Sequence, residues 1–164
     1  MKKIIIFWIL ILFSGCKLTS QIVEMTVKPN PEKDKFNLDI ILKNKGEKPI
    51  QFYIPNSDDD FCESILIIEL KDDSGNVHRY YPCGEFNDIE KIDLYDGNNI
   101  ILGAKEQHHF SYKLKIKDFS PFINQSTKYQ LLVTLNYKDV IFGNATEQVF
   151  TGLLRSPAVE YKTD

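Results

Sequence analysis

Phe110–Lys117 alternates without a break: Phe110, Tyr112, Leu114 and Ile116 fall on one side, Ser111, Lys113, Lys115 and Lys117 on the other. A period of two is the geometry of a strand with one face buried, and no helix can satisfy it. The same period recurs along the chain. Phe36, Leu38, Ile40 and Leu42 oppose Asn37, Asp39 and Lys43, with Ile41 the one apolar exception. Tyr129, Leu131, Val133, Leu135 and Tyr137 share a face of 128–137, and Ile50, Phe52 and Ile54 share one of 49–54. Further strands are expected over 21–28, 64–71, 77–81, 100–102 and 146–154. Ser64–Lys71 is apolar on both sides, as in a strand covered on both faces.

Turn chemistry separates these runs. Pro29-Asn30-Pro31 should end the first strand. Asn44-Lys45-Gly46-Glu47 reads as a turn with Gly46 free to take positive φ. Asp72-Asp73-Ser74-Gly75-Asn76 is a second turn, residues 82–98 are the least regular stretch, and the last hairpin turns near Gly143-Asn144. Eight or nine short strands with no amphipathic helix predict a single all-β, antiparallel sandwich. Its expected span is 21–155, followed by a loose tail over 156–164.

Before that domain, Lys2 and Lys3 precede an apolar run, Ile4–Phe13, and then two small residues. This is the order of a secretory signal, and the run falls short of the roughly 20 residues needed to span a bilayer. At Ser14-Gly15-Cys16 the chain resembles a bacterial lipoprotein signal, with Phe13 where the usual lipobox has Leu. The resemblance implies cleavage after residue 15 and lipidation of Cys16. The mature protein would then be lipid-anchored in a bacterial membrane, facing the periplasm or the cell exterior. Residues 17–20 would form a tether of about 15 Å when extended.

Loss of Lys2 and Lys3 would leave 18 basic against 23 acidic residues, a net −5. That balance argues against nucleic acid as a partner and leaves membrane contact to the acyl chains. Cys62 and Cys83 are then the two cysteines left, and an oxidising compartment predicts a disulfide. A turn centred on Ser74 sets Cys62 opposite Phe86, so a bulge, or a bend after Pro82, is needed to join the sulfurs.

Leu42–Ile50, read as strand, Asn, turn, Pro-Ile and strand, resembles the immunoglobulin-like domains of exported bacterial proteins. A proline-containing link before Tyr129-x-Leu-x-Val is similar to their tyrosine corner, whose hydroxyl bonds to upstream backbone. The order of elements is also loosely similar to the BsuPI-type proteinase-inhibitor domain. These likenesses imply a fold and not an activity.

No nucleophile, zinc or phosphate-loop motif is present, so a non-catalytic module without a cofactor is expected. Asp58, Asp60 and Glu63 are candidate calcium ligands beside Asn56 and Ser57, with Asp88, Glu90, Asp93 and Asp96 able to contribute only if two loops meet. A solvated acidic loop is the plainer reading. His108-His109 point to opposite faces of a strand and cannot readily share zinc. Tyr80, Tyr81, Phe86 and Tyr95 form a candidate contact surface for an envelope protein or a glycan, with core packing the plainer reading. For an inhibitor, Asn56–Phe61 or Cys83–Leu94 would supply the loop.

Overall fold

The computed structural model describes residues 22–32, 35–83, 91–124, 127–145 and 149–163. The signal, Cys16 and the tether lie outside the described residues, as do Phe86, Asp88 and Glu90. The alternating runs form β1 (Val23–Glu32), β2 (Lys35–Asn44), β3 (Ile50–Tyr53), β4 (Leu66–Asp72), β5 (Val77–Tyr80), β6 (Asn99–Leu102), β7 (Gln107–Lys115), β8 (Phe119–Ser120), β9 (Lys128–Asn136), β10 (Leu153–Arg155) and β11 (Val159–Lys162). One short helix, α1 (Asp58–Cys62), and a 3-10 turn, Ile116–Asp118, interrupt them.

The pairings of these strands are all antiparallel, in three sheets: β1-β2-β7, β10-β9-β4-β5-β8 with β11 also on β9, and the pair β3-β6. The predicted all-β sandwich is therefore the fold. Val23, Met25 and Val27 of β1 and Leu38, Ile40 and Leu42 of β2 face inward against Leu66, Ile68 and Leu70 of β4 and Leu131, Val133 and Leu135 of β9. Ile67, on the opposite face of β4, is half-buried, so that strand is covered on both sides for part of its length.

The Tyr129 ring is buried, and its hydroxyl accepts a hydrogen bond from the Asn124 backbone N–H at 2.8 Å. Asn44 is the counterpart on the other sheet. Wholly buried, it donates through Nδ2 to the carbonyls of Lys48, Leu102 and Gly103, and its Oδ1 accepts from Gly46 N–H. One amide thereby closes the β2–β3 turn and ties it to the end of β6.

Several expectations need correction. β1 runs through Pro29 and Pro31 to Glu32. It lies at the edge of its sheet, where the missing proline donors can face away from β2. Gly46 does not adopt positive φ; a Cβ there would sit 2.7 Å from Cγ2 of the exposed Ile22, whose side chain would have to shift. Positive φ falls instead at Gly75, in the β4–β5 turn, where Asp72 also accepts from the backbone and side chain of Asn76. Those bonds, the Asn76 side chain first, hold the Asp72 carboxyl below its ordinary value.

Of the strand expected over 146–154, residues 146–148 lie outside the described residues, and of the rest only Leu153 and Leu154 fall in a strand, β10; the tail is not loose. Val159–Lys162 pairs with the first part of β9 as β11. Between β10 and β11 the chain shifts at Ser156, whose N–H donates to Val133 O while its Oγ accepts from Val133 N–H. The hydroxyl thus substitutes for a ladder carbonyl, and burial of Tyr161 anchors the end.

Candidate functional site

The cysteines illustrate how an irregular element completes what strand register leaves open. β4 and β5 pair Leu70 with His78, the register of a turn centred on Ser74. Continued, that register leaves Cys62 and Cys83 out of step. The correction comes on the Cys62 side: α1 coils Asp58–Cys62, and Ser64 takes φ 63. A helix rises 1.5 Å per residue against about 3.3 Å in a strand. The coil therefore draws Cys62 back to Cys83, and the two form a disulfide with Cα atoms 5.8 Å apart.

The same helix decides the acidic cluster. Asp60 is fully buried. Its Oδ2 accepts from the backbone N–H groups of Asn56 and Ser57 and from Ser57 Oγ, and its Oδ1 accepts from the Tyr53 hydroxyl at 2.6 Å. Burial and the Asp60 carboxylate both push the Tyr53 hydroxyl well above its ordinary value. Phe61 sits edge-on to Tyr80 at 5.0 Å and to Tyr112 at 5.8 Å, and so bridges the two large sheets. The solvated-loop reading fails for Asp60, and its oxygens are already committed to this cap. Among the described residues, no group of three or more His, Cys, Asp or Glu could hold a metal ion.

The other candidates separate. His108 and His109 lie on opposite faces of β7: His108 stacks on Phe110, and His109 reaches Asp39. Tyr80 belongs to the core, and burial, together with the Asp118 charge, pushes its hydroxyl up to about 12. Tyr81 and Tyr95 are exposed, but Tyr95 stands beside Asn56 while Tyr81 stands beside Pro82 and Pro121.

The latter neighbourhood holds the surface feature that sequence reading missed. After β7 the chain crosses from the three-stranded sheet to the second sheet through the 3-10 turn and β8. Phe119 enters the core, and the Pro121 carbonyl meets His78 Nδ1 at 2.9 Å. Three residues after Phe119, Phe122 remains 78% exposed. It separates two hollows. One, of about 440 Å³, is lined by Lys35, Lys115, Ile116, Lys117, Phe122 and Ile123. The other, of about 510 Å³, shares Lys117 and Phe122 and adds Tyr81, Pro82, Asp118 and Pro121.

Lys35 and Lys115 are direct cross-strand partners, so two ammonium groups share one face at neighbouring positions. Like charges so placed are destabilising. None of Lys35, Lys115 and Lys117 has an ion pair to another described residue. Glu32 lies opposite Lys35 on the other side, with Oε1 taken by the Asn37 amide at 2.6 Å. In sequence the lysines of β7 read as protection of a sheet edge. The signal that could have found the site is the pairing of Lys35 with Lys115, which requires the register. Neither a protein-family model nor a curated protein matches the chain.

Proposed function

We propose that this chain is a non-catalytic binding module, held by a lipidated Cys16 on a bacterial envelope membrane and facing the periplasm or the cell exterior. Three observations support the reading. The Ser14-Gly15-Cys16 motif follows a short apolar run. The Cys62–Cys83 disulfide suits an oxidising compartment and leaves neither thiol free as a nucleophile. The third carries most weight: an exposed Phe122 between two hollows, at the end of the sandwich remote from Val23.

That remoteness follows from register. Val23 pairs with Asn44 at one end of β1, and Glu32 with Lys35 at the other. Nine steps of about 3.3 Å separate the ends by roughly 30 Å. A chain tethered through residues 17–20 thus carries Lys35, Lys115 and Phe122 away from its anchor, toward partners in the envelope space. Contiguous apolar surface marks sites of protein contact, and Phe122 adjoins the half-buried Ile116 and Ile123.

The anchor is tested by Cys16→Ser, which should abolish lipid labelling and membrane retention; a variant that still fractionates with membrane removes the anchor. The binding end is tested by a photocrosslinking residue at position 122 in intact cells, against one at the exposed Ile101. A discrete, saturable protein adduct is expected from position 122 only. Of the other readings, an inhibitor loop at Asn56–Phe61 is not favoured, since that segment is a capped helical turn with Asp60 buried. The Cys83–Leu94 loop lies in part outside the described residues. A glycan platform is not favoured by Tyr81 and Tyr95, which stand in different neighbourhoods.

A further inference from the structure

Resting on that reading of the Phe122 end, we propose that its occupant is an acidic protein segment carrying an apolar or aromatic anchor residue. The hollow beside Phe122 has two chemistries, and each excludes a class of ligand. Ile116, Phe122 and Ile123 present apolar surface that a purely hydrophilic polyanion would leave wet. Lys35, Lys115 and Lys117 line it as well, three exposed basic residues in a chain whose net charge is −3. An uncharged apolar partner would bury those groups without compensation, which is costly.

The Lys35–Lys115 juxtaposition points the same way. Folding forces the two charges together across the β2–β7 pair, and carboxylates placed between them would relieve the repulsion. Among the described residues, Asp118 and Glu32 are the acidic ones nearby, at the second hollow and across from Lys35. Asp118 lines the second hollow and not the first, so the first hollow is the one that matches an acidic segment. Its volume of about 440 Å³ suits a peptide side chain or two.

The test uses the full chain, isotope-labelled and held in neutral detergent micelles. The probes are a short peptide with Glu on both sides of a Leu-Phe centre and the same peptide with Gln for every Glu. Amide shifts should concentrate at Lys35 and residues 115–123. The Glu peptide should bind about tenfold more tightly at low salt, with the gap closing as salt rises. Lys115→Gln with Lys117→Gln should remove the discrimination, and Phe122→Ala should weaken both peptides. Phe122 is exposed, so that variant leaves the core intact. Equal binding of the two peptides, no shifts with either, or binding that survives Phe122→Ala would overturn the proposal.

A membrane is the competing anionic surface. If the Cys16→Ser chain sediments with phosphatidylglycerol vesicles but not with phosphatidylcholine vesicles, and Phe122→Ala abolishes this, the occupant is lipid and the proposal fails. Crosslinks at position 122 that persist when the acidic peptide fails would retain the binding reading and discard only this occupant.

Discussion

Asp60 and Lys115 are both charged and both stand beside aromatic side chains, yet their surroundings differ completely. Around Asp60, two backbone N–H groups and two hydroxyls converge on one carboxylate, which is wholly buried and so closed to a ligand. Tyr112 and Tyr137 complete that neighbourhood by donating to the carbonyls of Pro55 and Tyr53. Around Lys115 the fold supplies another lysine and leaves Phe122 in water. A charge whose partners all lie within the chain is part of the architecture. A charge set against its like, beside exposed apolar surface, has no such partners among the described residues, and this is what the proposed binding reading draws on.

The sharpest way to break this contrast is Asp60→Ala. It removes the cap of α1 and strands the Tyr53 hydroxyl and two N–H groups, so a loss of about 3–5 kcal/mol is expected. Urea denaturation would measure it, and a loss under about 1 kcal/mol would mean that the network is not structural. Next comes the staple that holds the same helix. Replacing Cys62 and Cys83 by Ser opens a loop with a sequence separation of 21, and should cost about 3 kcal/mol in the chain-entropy model. Thermal melting with and without reductant should reproduce that difference in the unaltered protein.

A pH titration probes the tyrosines of the buried region without any substitution. The folded state raises the Tyr80 hydroxyl from its ordinary 10.0 to about 12 and raises Tyr53, Tyr112 and Tyr137 as well. A raised folded value means that the protein holds these protons more tightly than the unfolded chain does. Their contribution is therefore fully present below pH 10 and is lost as pH rises toward 12. The tyrosinate absorbance of these four residues should appear together with loss of near-ultraviolet circular dichroism as pH rises above 10; their ionisation near pH 10 with the fold intact would contradict it. The smallest effect has the opposite sign. Lys115→Glu should stabilise by about 0.2–1 kcal/mol, because a like-charge cross-strand pair becomes an attractive one. A destabilised variant would show that the lysines have partners after all.

Much of the buried architecture is readable in the chain, because alternation reports burial directly. Phe110, Tyr112 and Leu114 point inward as the period requires, although only Leu114 is fully buried, since β7 is the edge of its sheet. The Tyr129 corner and the β4–β5 register were equally accessible, each resting on contacts close in sequence. Other features were not. Asp58, Asp59 and Asp60 are identical in type and adjacent, and nothing local says that only the third is buried. Phe119 and Phe122 pose the same problem: one fills the core and the other stands in solvent. The candidate site was missed for a related reason. Lys35 and Lys115 are distant in sequence and meet only through the β2–β7 pairing.

By itself, then, the sequence determined the strands, the turns between most of them, the all-β class and the pairing of its two later cysteines. Each depends on periodicity, turn chemistry or compartment, which are local or compositional properties. Only the tertiary structure decided that Val159–Lys162 adds a strand, that a coil at Asp58–Cys62 helps bring Cys62 to Cys83, and that Asp60 is a buried cap. It also decided which phenylalanine of the crossover stays outside and which lysines surround it. These outcomes depend on which surfaces of distant segments face one another, and residue spacing along one strand carries no record of that.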